Sequence, residues 1–244
     1  MVPTLLAALA VGQAAPAPLV KDTITFADEP SVQYLPLREV GAAFDRPVGK
    51  AKGKITLGGR AIPVKAVRRM TDGTILVPLG LLRSYGLIVN PGQGSGGKRT
   101  TIKDKRKPGR LFYARRGLKR VVVNKREQTL LAFQGERKVL TTNVSTGRAA
   151  KQTPSGLFKA QAYKNLLHRS RLYDNVAMPY SVQIVGNIFI HGFKSVPGRA
   201  ASSGCIRLPL TGGNPARWFY HWVEPGTSVQ IGGKWPAGAI ASKG

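Results

Sequence analysis

Cys205 is the only cysteine among 244 residues and stands in Ser202-Ser203-Gly204-Cys205-Ile206-Arg207-Leu208, fourteen residues after His191. One thiol cannot close an intramolecular disulfide and cannot by itself build a zinc site. Its remaining chemistry is nucleophilic. A free thiol has a pKa of about 8.5, so a neighbouring base or cation must favour the thiolate near neutral pH. Ile188-Phe189-Ile190 reads as a buried strand that delivers His191-Gly192 to an edge or turn. A histidine placed by a rigid strand is the usual source of the base. The bland alternative is a small buried hydrophobe. Gly204 before the thiol and Arg207 after it favour the nucleophile.

The elements that must position this pair read mostly as β. Val121 to Asn124 and Thr129 to Phe133 are strands joined by a turn at residues 125–128, and Lys138 to Gly147 is another strand ending on glycine. Thr153-Pro154-Ser155-Gly156 is a turn leading into a further strand. One helix begins near Asn214-Pro215 and runs through Trp218, Phe219 and Trp222, and Ser228 to Ile231 closes the region as a last strand. Many short strands and a single helix predict a β-sandwich or barrel-like domain over residues 119–233, followed by a tail at 234–244.

Upstream, residues 22–90 carry short strands and two similar units offset by 42 residues, Tyr34 to Val40 and Leu76 to Leu82. In each a strand end meets Pro36 or Pro78 and a short amphipathic helix follows, with Leu37, Val40 and Phe44 in one and Leu79, Leu82 and Tyr85 in the other. Ile55 to Val64 reads as a hairpin turning at Gly58-Gly59. This small α+β segment resembles the copper amine oxidase-like N-terminal domain. It offers no His, Cys or Met cluster for copper, only Met70, so a packing or wall-docking module is the expectation. Residues 91–118 read as a linker, Gly-rich and then basic. From Lys98 to Arg126 there are thirteen Lys or Arg against the single acid Asp104, which predicts an extended, solvated tether.

The whole chain carries 38 Lys and Arg against 11 Asp and Glu, a formal charge of +27. That balance points to a polyanionic neighbour: nucleic acid, anionic lipid or an anionic cell-wall polymer. The basic run holds only Phe112 and Tyr113 as aromatics, too few for a stacking platform, which makes nucleic acid the poorest of these partners. Leu5 to Val11 is a short apolar run followed by the small-x-small pattern Gly12-Gln13-Ala14, although no Lys or Arg precedes it. Residues 1–21 are therefore expected to be a signal peptide or leader of an exported, extracytoplasmic protein of the periplasm or cell wall. No other stretch is apolar enough to make a transmembrane segment.

From about Arg120 to Gly232 the chain resembles an L,D-transpeptidase catalytic domain of the YkuD type. The resemblance is carried by Ser145-Thr146-Gly147, Thr153 to Phe158, Met178-Pro179-Tyr180, Ile190-His191-Gly192, the Cys205 motif and Gly226 to Ile231, in that order. It implies Cys205 as nucleophile, His191 as its base and an oxyanion hole at Gly204 and Cys205. The implied reaction forms a thioester with a peptidoglycan tetrapeptide stem and passes it to an amine, making a 3→3 cross-link. The family's motif reads Ser-His-Gly-Cys, and this chain has Ser203 at the histidine, which can hydrogen-bond but cannot carry charge. The orienting partner of His191 is then a backbone carbonyl near Gly192 or Phe193.

Around this pair, Arg207 is a candidate for binding a stem carboxylate or, equally, for holding loop carbonyls. Tyr180 and Phe193 are candidates to shape the cleft, and Lys194 and Arg199 to line its acceptor side or form a solvated face. His168 is expected in a loop, as a lid or surface residue, and His221 in the aromatic helix as a packing residue. No metal or organic cofactor is implied. The competing readings are an L,D-carboxypeptidase or endopeptidase on the same stem, and a cell-wall-binding protein with an impaired site.

Overall fold

The structure, a computed structural model, describes residues 19–92, 99–107 and 109–233. The leader run, the Gly-rich stretch 93–97 and the tail 234–244 lie outside the described residues. The protein is mainly β, as its pattern of short alternating segments predicts.

Its first half comprises β1 (Val20–Phe26), β2 (Glu29–Pro36), α1 (Leu37–Ala43), β3 (Val48–Ala51), β4 (Lys54–Leu57), β5 (Arg60–Ala61), β6 (Arg68–Arg69), β7 (Ile75–Pro78), β8 (Leu87–Pro91), β9 (Arg99–Asp104) and β10 (Leu111–Arg116). Seven strands form one sheet in the order β6-β7-β2-β1-β10-β9-β8, and β3-β4-β5 form a small second sheet. The two similar units behave alike. Pro36 and Pro78 end their strands, and Leu37, Val40 and Phe44 from one meet Leu79, Leu82 and Tyr85 from the other in one core. The second unit is a 3-10 helix rather than an α-helix. Gly58 and Gly59, both at positive φ, turn β4 into β5.

Two boundaries differ from the sequence reading. β1 begins at Val20, so Val20 and Lys21, assigned above to the leader, pair with Tyr113 and Ala114 of β10. Much of the supposed linker 91–118 is sheet: β9 pairs with both β8 and β10. The physical reason is the period. Thr100, Ile102 and Asp104 turn inward along β9, as do Phe112 and Ala114 along β10, while the cations between them face outward. A count of like charges ignores that alternation, and Arg110 and Arg115 also find Asp45 and Asp22 at 2.6 and 2.9 Å.

The second half holds β11 (Lys119–Asn124), β12 (Thr129–Gln134), β13 (Arg137–Asn143), β14 (Gly156–Lys159), β15 (Lys164–Ser170), β16 (Val176–Val185), β17 (Ile188–Phe193), β18 (Ile206–Pro209), α2 (Pro215–Trp222) and β19 (Ser228–Gly232). One sheet runs β13-β12-β11-β19-β14, the other β15-β16-β17-β18. Val121, Val123, Leu130 and Ala132 of the first share a core with Val182, Ile184, Ile190, Ile206 and Leu208 of the second. The short helix α2 is capped by the Asn214 side chain, which accepts from the Arg217 N–H, and it buries Ala216, Phe219 and Trp222 in that same core.

The halves are joined by more than chain continuity. Phe26 meets Trp218 edge-on at 5.8 Å. The fully buried Gln134 accepts from the Thr25 N–H at 3.0 Å and donates to Thr25 Oγ1 at 2.9 Å, and its oxygen also receives Trp222 Nε1 at 3.2 Å. Arg137 clamps Glu39 through two bonds of 2.5 and 2.8 Å.

Candidate active site

β17 and β18 run parallel with Ile190 opposite Ile206 and His191 opposite Arg207. Side chains alternate along a strand, so Phe189, His191 and Phe193 share a face with Cys205 and Arg207. Strand spacing and rise place Cys205 and His191 as diagonal neighbours with Cα atoms roughly 8 Å apart. His191 lies inside the strand, not at its end.

The loop carrying the thiol is framed by segments whose motifs were visible in the sequence but whose roles were not. Ser145 exchanges two backbone bonds with Arg207 at 3.1 and 3.0 Å. The amides of Ala201 and Ser202 both donate to Thr146 O at 2.9 Å. Thr146 is in turn held at its N–H and its hydroxyl by the Gln128 amide, each at 2.8 Å. Thr153 Oγ1 accepts from the Gly147 N–H at 2.8 Å and donates to Gly204 O at 2.7 Å. A Cβ on Gly147 would sit 2.0 Å from Lys151 O, so only glycine allows this approach. Gly204 takes φ 118, a conformation side chains resist.

Within the loop, Ser202 Oγ donates to Cys205 O at 2.6 Å and accepts from the Gly204 N–H at 3.1 Å. That amide, expected to serve the oxyanion, is therefore occupied in this structure. Ser203, standing where the family motif has histidine, accepts from an Arg148 guanidinium N–H at 3.2 Å. Tyr173, between β15 and β16, donates to Ser203 O at 3.4 Å.

The Cys205 thiol is half-buried and donates to Asn187 O at 3.5 Å. Burial pushes its pKa up, against the opposing pull of the Phe189 backbone and the Arg207 charge. His191 is 3% exposed, and its Nδ1 lies 2.9 Å from Gly192 O. That contact assigns the proton to Nδ1 and leaves Nε2 as an acceptor. Burial pushes the imidazole down to about 4, with the Arg207 and His168 charges acting in the same direction. The resting pair is thus a neutral thiol and a neutral imidazole, with no hydrogen bond between them in the structure. Such a pair can activate sulfur by general-base removal of its proton as attack proceeds.

Arg207 stacks over Phe193, 4.1 Å from the ring centroid, and its Nη1 reaches Ala201 O at 3.5 Å. It has no carboxylate partner among the described residues. Phe193 also meets the His191 ring edge-on at 6.0 Å. Tyr180 does not line the cleft onto which Cys205 opens, and neither do His191, Phe193 and Arg207; it packs against Tyr220 at 6.0 Å, at the left-handed φ of 59 in β16. His221, expected as a packing residue, is one-third exposed and faces Asp28 at 3.6 Å.

Cys205 opens onto a cleft of about 500 Å³ walled by β15, β16 and the Asn187–Phe189 turn. His168 belongs to this wall. It lies in β15 rather than in a loop, stacks on Phe189 at 5.0 Å and has Nδ1 3.0 Å from the Tyr163 hydroxyl. Its neighbours Arg169, Ser170 and Arg171 suggested a loop, and the strand is set by pairing with β16, from Lys164–Val182 to Ser170–Val176. Asn187, the acceptor of the thiol proton, carried no signal beyond its place in a turn. Among the described residues, no group of three His, Cys, Asp or Glu is placed to hold a metal, and no helix is long and apolar enough to cross a membrane.

Several solved structures are similar. An L,D-transpeptidase from Stackebrandtia nassauensis is 27% identical over 48% of this chain and 57% of that one, with a TM-score of 0.42. One from Xylanimonas cellulosilytica is 24% identical over 48% and 61%, with a TM-score of 0.43. One from Mycobacterium tuberculosis is 14% identical over 90% and 96%, also at 0.43. The chain spans less than two thirds of the first two. No curated protein matches it. Residues 118–231, which contain Cys205, His191 and the segments framing them, match the YkuD family model, the L,D-transpeptidase catalytic domain.

Proposed function

We propose that the protein is a cysteine-dependent peptidoglycan L,D-transpeptidase acting outside the cytoplasm. The observation that carries this reading is the placement of Cys205 and His191 on one face of the β17–β18 pair, inside the span matched by the family model. Sγ attacks the carbonyl after the third residue of a tetrapeptide stem while His191 Nε2 takes the thiol proton. The C–S bond forms, the peptide C–N bond breaks, and the proton passes to the departing D-alanine amine. An acceptor amine then attacks the thioester: a C–N bond forms, C–S breaks, and the amine's proton returns through His191 to sulfur. We assign the developing oxyanion to the Cys205 N–H, because the Gly204 N–H is bonded to Ser202 Oγ.

Arg207, stacked on Phe193 and with no carboxylate partner among the described residues, orients the face and is available to a stem carboxylate. The N-terminal half, with its resemblance to the copper amine oxidase-like N-terminal domain, acts as a packing module that braces the catalytic half. Export through a leader that ends before Val20, where β1 begins, and retention by an anionic wall polymer complete the reading. The test is intact mass after incubation with a carbapenem, for the parent and Cys205→Ala. One adduct on the parent and none on the variant supports it. No adduct on a folded parent overturns it. A stem tetrapeptide with and without an added amine then separates transfer from hydrolysis.

A further inference from the structure

A second cavity, of about 420 Å³, lies at the seam between the two halves and shares no residue with the Cys205 cleft. Asp28, Arg68 and Arg69 of the first half line it together with Arg217, Trp218 and His221 of the second. Its walls are pinned to each other. The Ala27 N–H donates to His221 O at 2.7 Å, and a Cβ on Gly213 would sit 2.5 Å from Thr71 O. Asp28, the only acid in the lining, is already engaged. Arg68 donates to both of its oxygens at 3.1 and 2.9 Å, and His221 Nδ1 lies 3.6 Å away. Arg69 and Arg217, one from each half, are exposed and form no ion pair among the described residues. With Arg68 and Asp28 offsetting each other, these two guanidiniums leave the cavity positive.

The lining also holds an unpaired donor. Trp218 is 7% exposed, and its Nε1 is the only buried side-chain nitrogen or oxygen among the described residues without a hydrogen-bond partner. Trp222, one turn further along α2, has its own Nε1 paired with Gln134. An indole N–H can only donate, and leaving it buried and unpaired costs free energy that an incoming acceptor restores. Guanidiniums from opposite walls and an indole beside them offer donors from several directions, which suits a tetrahedral oxyanion better than a planar carboxylate. We propose that the seam is a phosphate-binding site, in which Arg69 and Arg217 hold a phosphoryl group between the halves and Trp218 supplies a further donor. A phosphomonoester and one unit of a phosphodiester polymer present this same group. The site is separate from Cys205, so the proposal does not depend on acylation. A ligand held by both halves stabilises the assembled chain by mass action.

The test is calorimetric titration of the full chain at fixed ionic strength, with inorganic phosphate and then with a short glycerol phosphodiester oligomer. One saturable site per chain is expected. R69Q/R217Q should weaken it at least about tenfold, and W218F, which removes the N–H and keeps a ring, about threefold. K50Q/K65Q makes the same charge change at exposed lysines outside the cavity and should leave the affinity within about twofold. Arg69 and Arg217 are exposed, so their double variant should keep the parental near-ultraviolet circular dichroism. Tighter binding of the oligomer would name the polymer as the source, and equal binding the monoester; both support the site. No saturable binding of either probe, or equal losses in R69Q/R217Q and K50Q/K65Q, would overturn it. Unchanged affinity in W218F would overturn the part assigned to Trp218.

Discussion

The two halves of the molecule use positive charge in opposite ways. In the N-terminal sheet and along its junction, cations meet acids: Arg46 with Asp104 at 2.9 Å, Arg68 with Asp28 and Glu29 at 2.9 Å, Arg115 with Asp22 at 2.9 Å and Lys119 with Glu224 at 2.7 Å. Around Cys205 the cations meet carbonyls, hydroxyls and rings instead: Arg148 on Ser203, Arg169 on Asn175 O, Arg207 on Phe193 and Lys151 over Tyr173. The first set is architecture. The second has no acid partner beside the cleft, while exposed cations of the first half such as Lys50 and Lys65 contribute to the net +27 as well.

The sharpest way to break this contrast is to remove an acid from the first half. Asp22 is 8% exposed and binds Arg115 and the Glu136 N–H, at 2.9 and 2.8 Å. Asp22→Ala should cost about 3 kcal/mol, because a buried charged acceptor is lost to both the Glu136 N–H and Arg115. Urea unfolding measures the loss, and carbapenem acylation at saturating folded protein should proceed at the parental rate. A rate that falls with stability would mean the halves are not separable in role.

Next in size is acid sensitivity. His191 has a folded pKa of about 4, below its unfolded value, because burial disfavours its charged form. The unfolded chain binds the proton more readily, so the stability contribution is complete above about pH 6.5 and is lost as pH falls toward 4. Between pH 7 and 4.5 this amounts to about 2 kcal/mol. Urea midpoints of the parent and His191→Gln should converge over that window, and parallel curves would contradict the burial argument. The acidic limb of the acylation rate should lie near pH 4 for the same reason.

The smallest effect belongs to the second half. Arg148→Ala removes an exposed guanidinium from Ser203 Oγ, so stability should stay within about 0.5 kcal/mol. Acylation should slow by roughly threefold through loss of loop positioning and charge. A large drop in melting temperature with unchanged acylation would place Arg148 among the architectural cations.

Much of this molecule could be read one residue type at a time. Proline followed by helical spacing located both short helices, and alternation located β11, β12 and β19. The helix from Asn214 was legible because a capping residue, a proline at the first turn and an aromatic face fall in register. Where the reading went wrong, a local signal was outvoted by pairing. Within the charge run, 99–104 and 111–116 became β9 and β10 because neighbours were available to take their backbone bonds. His168 became part of a strand through β16. Tyr180, the last residue of the Met178-Pro179-Tyr180 motif, packs on Tyr220 and takes a left-handed φ within β16.

The sequence by itself determined the chemistry: a single thiol, a histidine upstream of it, small residues around both, and a mainly β chain with the matching order of motifs. Those are properties of residue type and spacing, which local sterics and hydrophobic periodicity express directly. Only the tertiary structure decided that His168 lines the cleft from a strand, stacked on Phe189. It alone decided that the Gly204 amide bonds to Ser202 Oγ, and that Arg46, Arg68 and Arg115 of the first half find acids while Arg148, Arg169 and Arg207 beside Cys205 have none among the described residues. Burial, strand register and ion pairing are relations between residues far apart in the chain, and they exist only once the sheets have assembled.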